Sequence, residues 1–392
     1  MNIAFYAPLK SPRSDTPSGD REIARLLWRA LSAGQAGVGG HEVTLASDLR
    51  TFEGAGDAHA QQKIKVDAAR AAEDFIANVR RGGRAAPALW FTYHTYHKAP
   101  DLIGPAVTAA LGIPYVIVEA SISPKQASGS WAAGHAATVD AVRSADCVIG
   151  LNPRDAKEVR KAMRSDATYL PLAPFIDTSR FDALAAATRG RPHALAHRHD
   201  DAVRVLTVAM MREGDKYASY MMLRDALLLC RERAWHLTIV GDGAMRFALE
   251  AAFASLGDQV TFAGALNGAD LVAAYGAADV FAWPACNEAL GMVFLEAGAA
   301  GLPVVAGHTD GVASIVKADE TGLFAPAGSV DAFASALDRL IADEALRRRL
   351  GHAARRHVLY KHGLPAASAR LCEIVTGLVS NSTAGRRDRY TA

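Results

Sequence analysis

The sequence has almost no excess charge. Forty-three Lys and Arg stand against 41 Asp and Glu in 392 residues, a formal net charge of +2. That balance gives no electrostatic case for nucleic-acid binding. Cysteine is scarce: Cys147, Cys230, Cys286 and Cys372 lie far apart in the chain. No two share metal-ligand spacing, and a chain this long can build a core without disulfides. Buried thiols in a reducing compartment are expected. No apolar run approaches the roughly 20 residues of a membrane span. The opening MNIAFYAPLK has no basic stretch followed by a long apolar one, so no secretory signal is expected and the Asn381-Ser382-Thr383 sequon reads as chance. The expected location is cytoplasmic, with peripheral contact to the inner membrane face left open.

What is present is alternation. Hydrophobic residues make up 50% of a chain too long for one ordinary core, so two domains are expected. Candidate strands in the first half are NIAFYA (2–7), EVTLA (42–46), ALWFTY (88–93), PYVIVE (114–119) and CVIGL (147–151). In the second half they are VRVLTVA (203–209), HLTIVG (236–241), QVTFAG (259–264), DVFAWP (279–284) and PVVAG (303–307). Helical patterns lie between them, with Gly34 and Gly112 placed as C-caps. Strands alternating with helices predict βαβ units, and continuous apolar strands predict parallel sheets covered on both faces.

The stretch DALAAATRGRPHALAHRHDD (182–201) has no clear period and reads as a join. Its histidines have nothing to fix a geometry, so no metal site is expected there. The fold class expected is α/β, with two doubly wound Rossmann-like domains and an intervening cleft. The boundaries expected are 1–175, a linker over 176–200, a second domain over 201–355, and a terminal helical region and tail over 356–392. Ligands in such sheets bind outside the carboxyl ends of the strands.

The stretch NEALGMVFLEAGAAGLPVVAG (287–307) is mostly small and apolar, yet it carries Glu288 and Glu296. Read as loop, helix and strand, it starts a helix near Leu290 or Gly291 and stops it at Gly301, because Pro303 forbids continuation. The first turn then offers free N–H groups and partial positive charge, a phosphate site. Glu288 in the loop and Glu296 in the helix could hold hydroxyls on either side. A capping acid and an ion-paired helix acid are the plainer readings of the same two residues.

This stretch resembles the E-x7-E signature of retaining glycosyltransferases of the GT-B fold, glycosyltransferase family 4 (group 1). LTIVGDGAM, VTFAGAL, LVAAYGAADVFAWP and ADETGLFAPAGSVDAFASAL resemble further parts of that family's second domain. PSGDREIARLLWRAL and GHEVTL resemble its first helix and second strand, and LPLAPFIDTSRF its linker. The resemblance implies transfer of a sugar from a nucleotide-diphosphate donor to a hydroxyl of a glycan, a lipid-linked or a small-molecule acceptor, with retention.

It also implies roles for particular residues. Arg212 and Lys216, in VAMMREGDKYASY, would bind the donor diphosphate. Glu288 would contact the donor sugar and Glu296 the ribose, while Leu290, Gly291 and Met292 would supply amides. Gly241 and Gly243 would line the nucleotide pocket, and Gly19 would belong to a loop facing the phosphates. Two basic groups and a helix terminus replace a metal in this scheme, so no essential divalent ion and no resident cofactor is expected.

There are departures. The family often has a histidine where this chain has Glu119-Ala120-Ser121, so either Glu119 or Ser121 takes over the polar contact, with Glu119 a candidate hydrogen-bond acceptor or general base, or the chemistry leans on substrate groups. His94, in WFTYHTYHKAPD, is a candidate for a contact on the acceptor side. Ser314 stands where the family usually has Glu. A Rossmann oxidoreductase would need G-x-G-x-x-G after a strand, and GDGAMR has only the first two glycines. A sugar-nucleotide epimerase or a non-catalytic nucleotide-sugar-binding protein could share the fold, and both compete with the transferase reading. VRRGGR (79–84) and LRRRLGHAARRH (346–357) are basic helix faces that could touch anionic lipid. The oligomeric state is not legible in the sequence.

Overall fold

The structure is a computed structural model that describes residues 1–16, 18–33, 40–182, 202–230, 232–288 and 290–390, with side chains as far as Asn381. Gly34 and the histidines of 193–199 lie outside the described residues. The chain forms two compact units, Met1–Leu172 with Leu364–Ala392, and Ala173–Gly363.

The first unit is built on six parallel strands: β1 (Asn2–Tyr6), β2 (Glu42–Leu45), β3 (Leu89–Thr95), β4 (Tyr115–Ala120), β5 (Cys147–Gly150) and β6 (Thr168–Pro171). Their order is β2-β1-β3-β4-β5-β6. β1, β3 and β4 are buried almost throughout, as their continuous apolar runs require. β6 was not expected. It is a four-residue edge strand, half exposed and ending in proline, so it carries no apolar run to announce it.

One buried acid fixes the start of the helix Gly104–Leu111. Asp101, 1% exposed, accepts from the amides of Ile103 and Gly104 at 2.9 and 2.8 Å. Its other oxygen accepts from Thr92 Oγ1 at 2.5 Å and Tyr115 Oη at 2.6 Å. Four donors make this burial tolerable. The same helix ends at Gly112 in the left-handed region, as the sequence predicts.

The second unit carries β7 (Val203–Val208), β8 (Trp235–Val240), β9 (Val260–Gly264), β10 (Val280–Trp283), β11 (Val304–Gly307) and β12 (Gly322–Ala325). Their order is β12-β11-β10-β7-β8-β9, all parallel. The chain runs outward from β7 to β9, then returns to lay β10 on the other side of β7. The switch point of the sheet therefore lies between β7 and β10. β12 was not expected either, being only Gly-Leu-Phe-Ala.

The boundaries differ from those read off the sequence. The chain leaves the first unit after Leu172 and re-enters it at Leu364. Residues 177–182 are not a free linker, since Phe181 is 1% exposed in the core of the second unit. The region 356–392 is divided between units. The helix Glu344–Lys361 packs on the helix Met292–Ala300, whose Ala297, Gly298 and Ala299 are buried. That contact explains the small residues of the AGAAG run. The helix Leu364–Tyr390 instead lies on the helix Gly19–Ser32, with Leu371 and Val375 fully buried and Ser368 Oγ donating to Ala30 O at 2.5 Å. The tail expected to fray is helical as far as Tyr390.

Candidate functional site

In the second unit the sequence-predicted residues gather at the carboxyl ends of β7, β8 and β10. The helix Met292–Ala300 begins one residue after Gly291, the later of the two expected starts. Gly291 is its N-cap at φ 56°, and a Cβ there would meet the Phe294 ring at 2.7 Å. Only glycine takes that conformation and that space without strain. Among the described residues no side chain accepts from the first amides of this helix, so Glu288 does not take the form of the capping acid of the plainer reading. The amides of Leu290, Gly291 and Met292 have no acceptor among the described residues. They are open donors at the positive end of a helix.

Glu288 is paired with Lys216 instead, Nζ to Oε2 at 2.5 Å. Lys216 does not lie in a loop as expected. It is the second residue of the helix Asp215–Leu229. Lys216 Nζ also lies 5.5 Å from the centre of the Trp283 ring. Asn287 Nδ2 donates to Asp215 Oδ2 at 3.0 Å, and Ser219 Oγ accepts from Cys286 N at 2.9 Å. These bonds tie the loop after β10 to the helix after β7. Ala285 and Asn287 in that loop have positive φ, strain of the kind that collects at functional loops.

Arg212 is exposed and has no ion-pair partner among the described residues. Gly241 follows β8, and a Cβ there would stand 1.9 Å from Ala209 O, so glycine lets the loops after β7 and β8 touch. Met211 N donates to Asp242 O at 3.0 Å across the same contact, next to Gly243.

Glu296 takes the form of the ion-paired helix acid. Its Oε1 meets Arg180 Nη2 at 2.6 Å, and its Oε2 accepts from Tyr275 Oη at 2.8 Å. Arg180 comes from the stretch read as a linker. Ser314 donates its hydroxyl to Gly311 O at 2.6 Å, within its own short helix. Among the described residues, no three His, Cys, Asp or Glu side chains group as a metal site needs.

The first unit brings a second cluster to the ends of β1, β3 and β4. Gly19 is not in a loop; it opens the helix Gly19–Ser32 behind the N-cap Ser18, and a Cβ there would meet nothing within 4 Å. The next residue, Asp20, was missed. Its Oδ1 lies 2.8 Å from His94 Nδ1. Burial pushes the Asp20 carboxyl up, but the hydrogen bond and charge of His94 outweigh this and hold it below its ordinary value. No local signal could have found a pair 74 positions apart, beyond an acid in the first turn of a helix.

His94 and Glu119 both have positive φ, 60° and 62°. Glu119 is 8% exposed, and burial raises its pKa to about 7 against the pull of His94. Its Oε2 accepts from Leu151 N at 3.1 Å. Ser121 Oγ donates to Asp155 Oδ1 at 2.7 Å, so its hydroxyl is committed.

Comparison with known proteins gives this geometry a family. Residues 207–357 match the family model described as Glycosyl transferases group 1. The second unit is a group 1 glycosyltransferase domain.

The chain is 34% identical over 222 residues to the GDP-mannose-dependent alpha-(1-6)-phosphatidylinositol monomannoside mannosyltransferase of Mycobacterium tuberculosis, a match covering 53% of this chain and 55% of that protein. It is 34% identical over 232 residues to the D-inositol 3-phosphate glycosyltransferase of Salinispora arenicola, covering 55% and 51%. The chain spans about half the length of the curated relatives it matches. The whole chain has the GT-B fold. Sucrose-phosphate synthase from Thermosynechococcus elongatus superposes with a TM-score of 0.69 at 20% identity, covering 97% of this chain and 99% of that one. Anabaena Alr3699/HepE in complex with UDP gives 0.69 at 15%, covering 96% and 100%.

No helix among the described residues is long and apolar enough to cross a membrane. The two basic stretches noted in the sequence are partly used internally. Arg84 Nη2 donates to Leu45 O at 2.6 Å, and Arg347 Nη1 donates to Leu340 O at 2.7 Å.

Proposed function

We propose that this protein moves a sugar from a nucleoside-diphosphate donor to an acceptor hydroxyl, with retention at the anomeric carbon. The observation that carries the reading is the meeting of Lys216, Glu288 and three open amides at the switch point between β7 and β10. A pyrophosphate suits such a place: amides and a helix terminus on one side, cations on the other.

In the reaction the bond between the anomeric carbon and the diphosphate oxygen breaks, and the electron pair stays on phosphate. Arg212, Lys216 and the amides of 290–292 stabilise that charge where it develops. Phosphate competes with Glu288 for Lys216, and a displaced Glu288 is free to accept from the donor sugar. Glu296, held in place by Arg180 and Tyr275, keeps lone pairs for the ribose diol. On the acceptor side Glu119, with a pKa near neutrality, takes the hydroxyl proton, and His94 orients the acceptor.

The relatives whose names state substrates use GDP-mannose or inositol phosphate, and the Anabaena neighbour is solved with UDP. The base and sugar are therefore the first thing to measure. Thermal shift with UDP-, GDP- and ADP-sugars identifies the donor. Sugar transfer that requires an acceptor then supports the reading, whereas donor conversion without one, or binding without turnover, would refute it.

A further inference from the structure

A pocket in the first unit has no part in the chemistry above. It lies between the loops after β2 and β3 and the helices Ala58–Arg80 and Ala132–Ser144, and it is an open pocket of about 90 Å³. The walls are mainly apolar, with Ile64, Leu102 and the indole of Trp131 among them.

The polar groups are few, and the uncommitted charges are of one sign. Lys65 and Lys98 line the pocket, and neither has an ion-pair partner among the described residues. The acid in the lining, Glu53, is already in use: it accepts from the amides of Ala55, Gly56 and Asp57 at 2.6, 2.7 and 3.1 Å and from Gln61 Nε2 at 3.2 Å. Lys98 Nζ sits 4.3 Å from the centre of the Trp131 ring, so one ammonium is placed beside the aromatic wall. His97 stands edge-on to Trp131 at 5.9 Å. Burial, Lys98 and His135 depress the pKa of His97, which leaves a neutral ring able to give and take a hydrogen bond.

The pocket is joined to the candidate site by a run of rings. His94 stacks on Tyr96 at 5.2 Å, Tyr96 meets His97 at 5.3 Å, and His97 meets Trp131. The loop that sets His94 beside Asp20 thus also forms a wall of the pocket. Two ammonium groups without an acidic partner among the described residues suit a dianion better than a single carboxylate, and a flat apolar wall beside them suits a ring better than an extended chain.

We propose that this pocket binds a soluble phosphate monoester carried on a ring, with the ring against Trp131 and Leu102 and the phosphate between Lys65 and Lys98, and that it holds the non-reacting end of the acceptor. The acceptor role rests on the transferase reading; the binding does not.

The test uses the full-length chain labelled with ¹⁵N, the Trp131 indole resonance being identified with Trp131→Phe. Phenyl phosphate, phenol and inorganic phosphate are titrated separately. Phenyl phosphate is expected to shift that resonance and to bind at least tenfold more tightly than either half. The double variant Lys65→Gln/Lys98→Gln alters two side chains that are not buried, and it is expected to weaken binding at least tenfold. An unmoved Trp131 resonance, or equal affinity in the double variant, overturns the proposal. Phosphatidylglycerol vesicles binding through these lysines while phenyl phosphate leaves Trp131 unmoved overturns it in favour of a lipid headgroup. Phenyl phosphate binding in a protein without transferase activity keeps the pocket and removes its acceptor role. Sugar transfer in a protein that ignores phenyl phosphate does the opposite.

Discussion

Lys216 Nζ and Glu288 Oε2 lie 2.5 Å apart, 72 positions apart in the chain. Each is the other's counter-charge in the absence of donor, so the cation assigned to phosphate and the acid assigned to the sugar are released together. Lys216→Ala is expected to lower kcat at least a hundredfold, about 2.7 kcal/mol of transition-state stabilisation. Steady-state kinetics with the identified donor checks this; near-normal turnover removes Lys216 from the site.

Glu296 offers a cleaner separation of binding from folding. Its carboxylate joins Arg180 to Tyr275. Glu296→Ala is expected to raise the donor Kd at least tenfold by calorimetry while the melting temperature falls by only a few degrees. Unchanged donor affinity refutes the ribose assignment.

Glu119 links activity to pH. The folded protein keeps it protonated up to about pH 7, against an ordinary value of 4.5. Between those values the folded state binds more protons than the unfolded state, so stability falls as pH rises through the window. The gap corresponds to about 3 kcal/mol. In Glu119→Gln most of that fall is expected to vanish in denaturant titrations between pH 4.5 and 7. The transfer rate is expected to drop at least tenfold and to lose its inflection near neutrality. An unchanged rate profile takes Glu119 out of proton transfer.

The cations and helix amides assigned to the diphosphate occupy the place of a divalent ion in the scheme. Transfer activity is accordingly expected to survive treatment with EDTA and return to metal-free buffer. A loss restored by added Mg²⁺ or Mn²⁺ would mean that these groups are insufficient.

Asp101 is a test of the scaffold alone. Asp101→Ala leaves two amides and the hydroxyls of Thr92 and Tyr115 without their acceptor in a buried place. A destabilisation of about 3 kcal/mol or more is expected from urea unfolding. A loss below 1 kcal/mol would mean that the four donors find other partners.

The sequence made some of this legible and not the rest, for physical reasons. Buried parallel strands such as β3, β4, β7 and β8 need continuous apolar residues, so they stood out. β6 is half exposed and β12 has only Leu323 and Phe324 between two small residues, and they did not. Gly291 and Gly301 bracket the helix Met292–Ala300 in left-handed conformations, which is why its ends could be read closely. Long-range partners left no trace. Nothing near Glu288 or Glu296 names Lys216 or Arg180, and nothing near His94 names Asp20. The terminal region expected over 356–392 read as helical, but nothing in it told which unit each part would cover.

The return of Leu364–Tyr390 to the first unit has a consequence for synthesis. The helix Gly19–Ser32 is translated before the second unit, but the surface that covers it is translated only after the whole of that unit. The second unit can complete its core while the first still waits with an uncovered apolar face.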